Sequence, residues 1–260
     1  PGDTTRYNSI QNYTDNTLNV CIPQTYHFLD TAVGEIAAMH VAAGAPLKTF
    51  HIGADETAGA WGQSAPCRKL MAETGRDAKA LVAYFIERVA ADLAKQGLKV
   101  AGWSDGLGHT DPKKMPERVQ TKIWGTLFWG GVAEAHTQAN QGWDVVLSIP
   151  DIGYLDMPYV PHPLERGYDW ASRSVDTLQI FGFMTDNLPA NAALIRDTSS
   201  RPQTIEDKTP RTRGGVAGIQ AQLWSETIRT DAGVDAQFFP RLIAFAERAC
   251  DKHHRQHRED

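Results

Sequence analysis

The sequence is poor in cysteine and has no long apolar run, and each lack narrows what the chain can be. Cys21, Cys67 and Cys250 are its three cysteines, with no CxxC pair. At most one internal disulfide can therefore form, with one thiol left over, and cysteine usage leaves the compartment open. No apolar stretch approaches the roughly 18 residues of a spanning helix. The opening PGDTTRYNSIQNYTDN does not read as a signal peptide, which still allows a mature or trimmed secreted chain. An excess of positive charge is missing too: the net charge is −5 and the Lys and Arg residues are scattered, so nucleic acid is not expected as a partner. There is no HExxH motif of the zinc hydrolases. What is present is ordinary globular composition, 42% hydrophobic and 22% charged, over 260 residues. That length suits one large domain, and an α/β barrel of ordinary size falls in the range.

The chain is organised around Pro46 to Thr57, PLKTFHIGADET. An apolar run carrying Phe50 and Ile52 stops at Gly53 and delivers two adjacent carboxylates, Asp55 and Glu56, where a strand would end. In parallel α/β folds the catalytic groups sit at the carboxyl ends of the strands, where side chains leave the core and converge on a ligand. Neighbouring strand residues face opposite ways, so both acids serve one ligand only if the backbone turns there, and Gly53 permits such a turn.

Around this stretch, strand-like and helix-like segments alternate. Phe28, Val33, Ile36, Met39 and His40 recur at helical spacing, and Gly44 closes a helix of about fifteen to twenty residues. Leu81, Tyr84, Phe85, Val89 and Leu93 form a second helical stripe within Asp77 to Lys95, and the strand LKVAGWSD comes next. Thr121 to Phe128 reads as strand, Val132 to Gln141 as helix and Asp144 to Ile149 as strand, before a long loop through Tyr168 and Trp170. A short helix is expected over Asp176 to Phe181, a polar excursion over Arg196 to Arg213, a strand in GVAGIQAQLWSE and an amphipathic helix from Phe238 to Cys250. Five strands, each followed by helix or loop, predict parallel βα units. Residues 1–250 read as the folded part and 251–260 as a charged tail. His253, His254 and His257 in that tail are given no role, because a solvated helix end explains them.

Each strand ends with similar chemistry: Asp55 and Glu56, then Trp103 and Asp105, then Trp124, then Tyr154 and Asp156, then Trp224 and Glu226. A bowl of indoles with inward acids suits a sugar, whose apolar ring faces stack on aromatics while its hydroxyls bond carboxylates. Structural readings stand beside these. Trp103, Trp124 and Trp224 each fit a core aromatic, Asp105 before Gly106 fits a turn, and His51 fits a wall residue bonded locally. Glu134, His136 and His162 read as surface. Trp170 lies in a polar loop, where a core role is less natural.

These residues carry a resemblance. HIGADE resembles the H-x-G-G-D-E signature of the β-N-acetylhexosaminidases, a family of glycoside hydrolases that includes bacterial chitobiases. AGWSD, YLDMPY, GYDW and AQLWSE resemble its later segments in the same order, from about Tyr13 to Arg248. Ala54 stands where many members have a second Gly, which costs little if its φ is negative. The resemblance implies a (β/α)8 TIM-barrel type of α/β fold with HIGADE on the fourth strand, so this chain is expected to cover roughly strands four to eight. Only 45 residues precede Pro46. The first three βα units, and the first-strand arginine that grips the sugar's outer hydroxyls, are expected to be absent, and Arg6 does not take that role. A fragment of a longer protein is the favoured explanation, over a two-chain enzyme or a rebuilt smaller fold.

The resemblance further implies removal of terminal N-acetylhexosamine from chitobiose and chitooligosaccharides, with retention and with the substrate's own 2-acetamido group as nucleophile. Glu56 is then the general acid and base, and Asp55 orients the acetamide and stabilises the oxazolinium ion. Tyr154 donates to the acetamide carbonyl oxygen. Trp103, Trp124 and Trp224 wall the sugar, Asp156 and Glu226 bind its hydroxyls, and Trp170 stacks on the next sugar. No metal or organic cofactor is required. The expected partners are N-acetylglucosamine-containing oligosaccharides and the missing front of the barrel, with no membrane span, and the expected location is periplasmic or secreted. Two other readings compete: a carbohydrate-binding fragment without catalysis, and a metal-dependent hydrolase built on His51, Asp55 and Glu56, whose spacing matches no compact metal motif.

Overall fold

A computed structural model of the chain describes residues 3–250 apart from 7, 15, 58, 117, 197–198, 200, 202–203 and 206–215. The expected tail, with His253, His254 and His257, lies outside the described residues, as does most of the expected excursion from Arg196 to Arg213. The chain divides into two compact units, residues 1–121 and 122–260.

In the first unit, α1 (Pro23–Ala42) leads into β1 (Thr49–His51), then come α2 (Ala65–Thr74), α3 (Ala80–Lys95), β2 (Lys99–Trp103) and the single turn α4 (Ser104–Leu107). β1 and β2 run parallel, Thr49 opposite Lys99 and His51 opposite Ala101. From Val100 to Trp103 every residue of β2 is buried, as a parallel strand covered on both faces requires. The stripe on α3 is buried as expected at Leu81, Phe85, Val89 and Leu93, and Val82, Ile86 and Ala90 widen it into a broad face.

α1 departs from expectation. It has the expected length and starts with Pro23 at its first turn, but Phe28 and Met39 are exposed, and Thr25, Tyr26 and Val33 are the buried positions. Tyr26 sets that orientation: its hydroxyl donates to Val20 O at 2.6 Å and its ring lies 3.4 Å under the Arg88 guanidinium. α2 was not anticipated, although Pro66 near its start and Gly75 at its end, with φ of 68°, mark it. Cys21 and Cys67 form a disulfide that ties the approach to α1 onto α2, and Cys250 is free and exposed.

β3 (Gln120–Ile123) carries the division between the units. It is shorter than the expected Thr121 to Phe128, because Thr126 turns the chain into a 3-10 turn at Leu127–Trp129. The second unit continues with α5 (Gly131–Gln141), β4 (Asp144–Leu147), the single turn α6 (Pro150–Gly153), α7 (Thr177–Phe181), β5 (Gly218–Ile219), α8 (Asp231–Phe238) and α9 (Arg241–Cys250). β4 and β5 are parallel, with Leu147 opposite Ile219. The last strand is only two residues long, followed by one bridge between Tyr154 and Gln222. The expected final helix, Phe238 to Cys250, is α9, which starts at Arg241 just after Pro240, and α8 before it was not anticipated. Ile123, Leu147, Ile149, Leu155, Phe183 and Phe245 belong to one buried cluster. His136, expected at the surface, is buried on the inner side of α5.

Candidate active site

In the first unit the pairing of β1 with β2 outlasts the strand itself: Ile52 N donates to Ala101 O at 2.8 Å and Trp103 N to Gly53 O at 3.0 Å. The backbone then turns sharply. Gly53, Ala54 and Glu56 take φ values of 70°, 74° and 49°, all left-handed. The condition under which Ala54 would cost little, a negative φ, is not met: alanine occupies a conformation that favours glycine, at a cost of about 1 kcal/mol. Close packing holds the turn. A Cβ added to Gly106 would stand 2.0 Å from Ala54 O, so only glycine lets α4 approach the Asp55 loop this closely.

Asp105 is more than a turn residue, since its Oδ2 accepts the Glu56 N–H at 2.8 Å and pins the residue's backbone. Gly53 N donates to His51 Nδ1 at 3.1 Å, and the His51 ring meets Trp103 edge to face at 5.1 Å between centroids. Trp103 is itself buried. Asp55 and Glu56 are half-buried beside a cavity of about 210 Å³ lined also by Gln11, Leu18, Val20 and Trp61. Glu56 Oε2 is buried without a hydrogen-bond partner among the described residues.

Burial raises both carboxyls above their ordinary range. The charge of Asp105 adds to the rise at Asp55, and the charge of Asp55 adds to the rise at Glu56. Each carboxylate charge therefore makes the other carboxyl harder to ionise. Among the described residues no group of three His, Cys, Asp or Glu stands close enough to hold a metal ion.

The second unit assembles aromatic rings. Tyr154 lies 5.9 Å from Trp170 and 6.0 Å from Trp224, both edge to face, and Trp124 meets Trp170 in the same way at 6.3 Å. Tyr154 is buried, whereas Trp170 and Trp224 are exposed. Asp156 Oδ1 accepts the backbone N–H of Trp224 at 3.3 Å, joining two of the expected sugar-binding residues. Burial pushes the Asp156 carboxyl up to about 6, with the Glu226 charge adding to the rise. Glu226 is exposed. The sequence reading missed Arg241, wholly buried on α9, whose guanidinium donates to the carbonyls of Leu155, Met157 and Val175 and lies 3.8 Å from the Tyr159 ring. Its place on the inner stripe of an amphipathic helix was the signal. Asp151 was missed as well: its Oδ2 accepts the Leu127 N–H at 2.9 Å, and complete burial pushes its carboxyl up to about 7.

Residues 2–253 match the model of the family described as glycosyl hydrolase family 20, catalytic domain. The β-hexosaminidase B of Pseudoalteromonas piscicida is 49% identical over 249 residues, covering 95% of this chain and 32% of that protein. The N,N'-diacetylchitobiase of Vibrio harveyi is 35% identical over 287 residues, covering 96% and 32%. A crystal structure of an exo-β-N-acetylglucosaminidase of this family from Vibrio harveyi, in complex with N-acetylglucosamine, superposes with a TM-score of 0.71 at 32% identity, over 95% of this chain and 34% of that one. The chain thus spans about a third of the length of the curated relatives it matches.

Proposed function

The chain belongs to glycosyl hydrolase family 20, and from that membership we propose that it removes terminal N-acetylglucosamine from chitobiose and chitooligosaccharides by a retaining, substrate-assisted mechanism. Its parallel α/β architecture is of the (β/α)8 barrel type, and β1 to β5 correspond to strands four to eight of that barrel.

The observation that carries the reading is the Asp55 and Glu56 pair on its left-handed strand-end turn, with Asp105 pinning the Glu56 backbone. Adjacent carboxylates held this way divide poorly into acid and enzyme nucleophile, but well into an acid and a stabiliser of a nucleophile that the substrate supplies. The 2-acetamido oxygen attacks the anomeric carbon as the glycosidic bond breaks, and an intramolecular group so placed has a very high effective molarity. Glu56 protonates the departing oxygen, which its raised pKa favours, and then takes a proton from the water that opens the oxazolinium ring. Asp55 accepts from the acetamide N–H and offsets the charge developing there. Tyr154 donates to the acetamide oxygen, Trp103, Trp124 and Trp224 contact the sugar faces, Asp156 and Glu226 take its hydroxyls, and Trp170 stacks on the next sugar.

The Cys21–Cys67 disulfide supports an oxidising compartment, periplasmic or extracellular. The family's preceding barrel strands, with their hydroxyl-gripping arginine, are the partner this reading expects.

Hydrolysis of a chromogenic N-acetylglucosaminide by the purified chain, with its intact mass checked in the same tube, tests the proposal. Turnover at that mass supports it. A folded sample that binds chitobiose by titration calorimetry but leaves both sugars intact would favour the second reading, a binding fragment, for which the one-third span is the specific support.

A further inference from the structure

The aromatic row of the second unit does not end at Trp170. Trp129 lies 6.2 Å from Trp170 with the two rings tilted by 30°, whereas Tyr154 and Trp124 meet Trp170 edge to face. Exposure rises along the row, from 4% at Tyr154 to 40% at Trp170 and 59% at Trp129. An exposed indole is usually mobile, but this one is held. Thr126 Oγ1 accepts the backbone N–H of Trp129 at 3.2 Å, and Asp151 Oδ2 fixes the same 3-10 turn through the backbone N–H of Leu127. Just behind it, Gly131 sits so close to Gly125 that a Cβ there would stand 2.4 Å from Gly125 O. Phe128 braces the Trp129 ring edge to face at 5.2 Å.

A large apolar surface left open on a fixed backbone, and continuous with a row of sugar-stacking residues, is what a ligand-binding platform requires. We propose that Trp129 forms an outer sugar-binding position, beyond Trp170, that takes the third unit of a β-linked N-acetylhexosamine chain. This deepens the proposed function and rests on it for the identity of the ligand. The 6.2 Å separation and the modest 30° tilt of the two rings let consecutive pyranose units stack on Trp170 and then Trp129. The protein would therefore prefer trimers and longer chains to the disaccharide.

The test compares N,N'-diacetylchitobiose with the corresponding trimer, by titration calorimetry, on the native chain, Trp129→Ala and Trp129→Phe. The expected result is tighter binding of the trimer than of the dimer by the native chain, on the order of tenfold. In Trp129→Ala that ratio falls towards one, and in Trp129→Phe much of it is retained. A native ratio near one, or a ratio unchanged in Trp129→Ala, would overturn the proposal. So would an equal loss for both sugars, or no binding of either. Hydrolysis of the chromogenic monosaccharide, measured on the same samples, separates the two ideas. A Trp129-dependent trimer ratio without turnover refutes the hydrolase reading alone, and turnover without such a ratio refutes the outer position alone.

Discussion

The carboxylates of the first unit and the aromatic rings of the second are held by different means. Asp55 and Glu56 stand on a turn of three left-handed residues, fixed by backbone contacts: Gly106 against Ala54 O, Asp105 under the Glu56 N–H, and two ladder bonds from β1 to β2. Little of α1 is buried beside it, and a disulfide supplies part of the constraint. Tyr154 belongs instead to a continuous apolar cluster with Trp124 packed against it, Trp170 and Trp224 meet the Tyr154 ring edge to face, and buried polar side chains brace the unit, Arg241 through three carbonyls and Asp151 through the loop of Trp129. Carboxylates need exact direction, which a strained backbone gives. Aromatic rings proposed to stack on sugars need a firm floor, which the core gives through Tyr154 and Trp124.

Substitutions can break each half of that contrast. The largest expected effect is Arg241→Met, which leaves the Leu155, Met157 and Val175 carbonyls buried without this donor. It should destabilise the second unit by about 4 kcal/mol, read from denaturant unfolding by tryptophan fluorescence. In the first unit, replacing Cys21 and Cys67 together by Ser should cost about 3 kcal/mol, seen as a midpoint shift that reduction of the native chain reproduces. Gly106→Ala should cost about 2 kcal/mol and lower turnover at least about tenfold, because the clash falls on backbone that aims Glu56. The smallest effect has the opposite sign: Ala54→Gly should raise stability by about 1 kcal/mol, since it relieves the left-handed alanine. No gain in thermal midpoint would mean that the turn is not strained.

Much of the fold was legible because hydrophobic period and glycine stops report backbone state directly. β1, β2, the stripe of α3 and the acid pair at a strand end all come from those signals. Features set by tertiary contact were not legible. Tyr26 turned α1 away from the face that Phe28 and Met39 suggested, because an aromatic hydroxyl and a cation outweighed the apolar spacing. The strand expected in GVAGIQAQLWSE shrank to two residues because, beyond Ile219, the ladder continues through the single bridge of Tyr154 with Gln222. The sign of φ at Ala54 depends on its packing against Gly106, far along the chain, which no local pattern encodes. At the site, the residue types were visible and their tethers were not. Asp105, Asp151 and Arg241 act through backbone groups distant in sequence.

The division of labour between the two acids is tested most directly by comparing Asp55→Asn and Glu56→Gln on two substrates, chitobiose and an aryl N-acetylglucosaminide whose leaving group needs no proton. The account predicts that Asp55→Asn loses about 10²-fold or more in kcat on both, because the acetamide loses its charge partner. Glu56→Gln should lose as much on chitobiose and far less on the activated substrate. Equal losses by both variants on both substrates would contradict it.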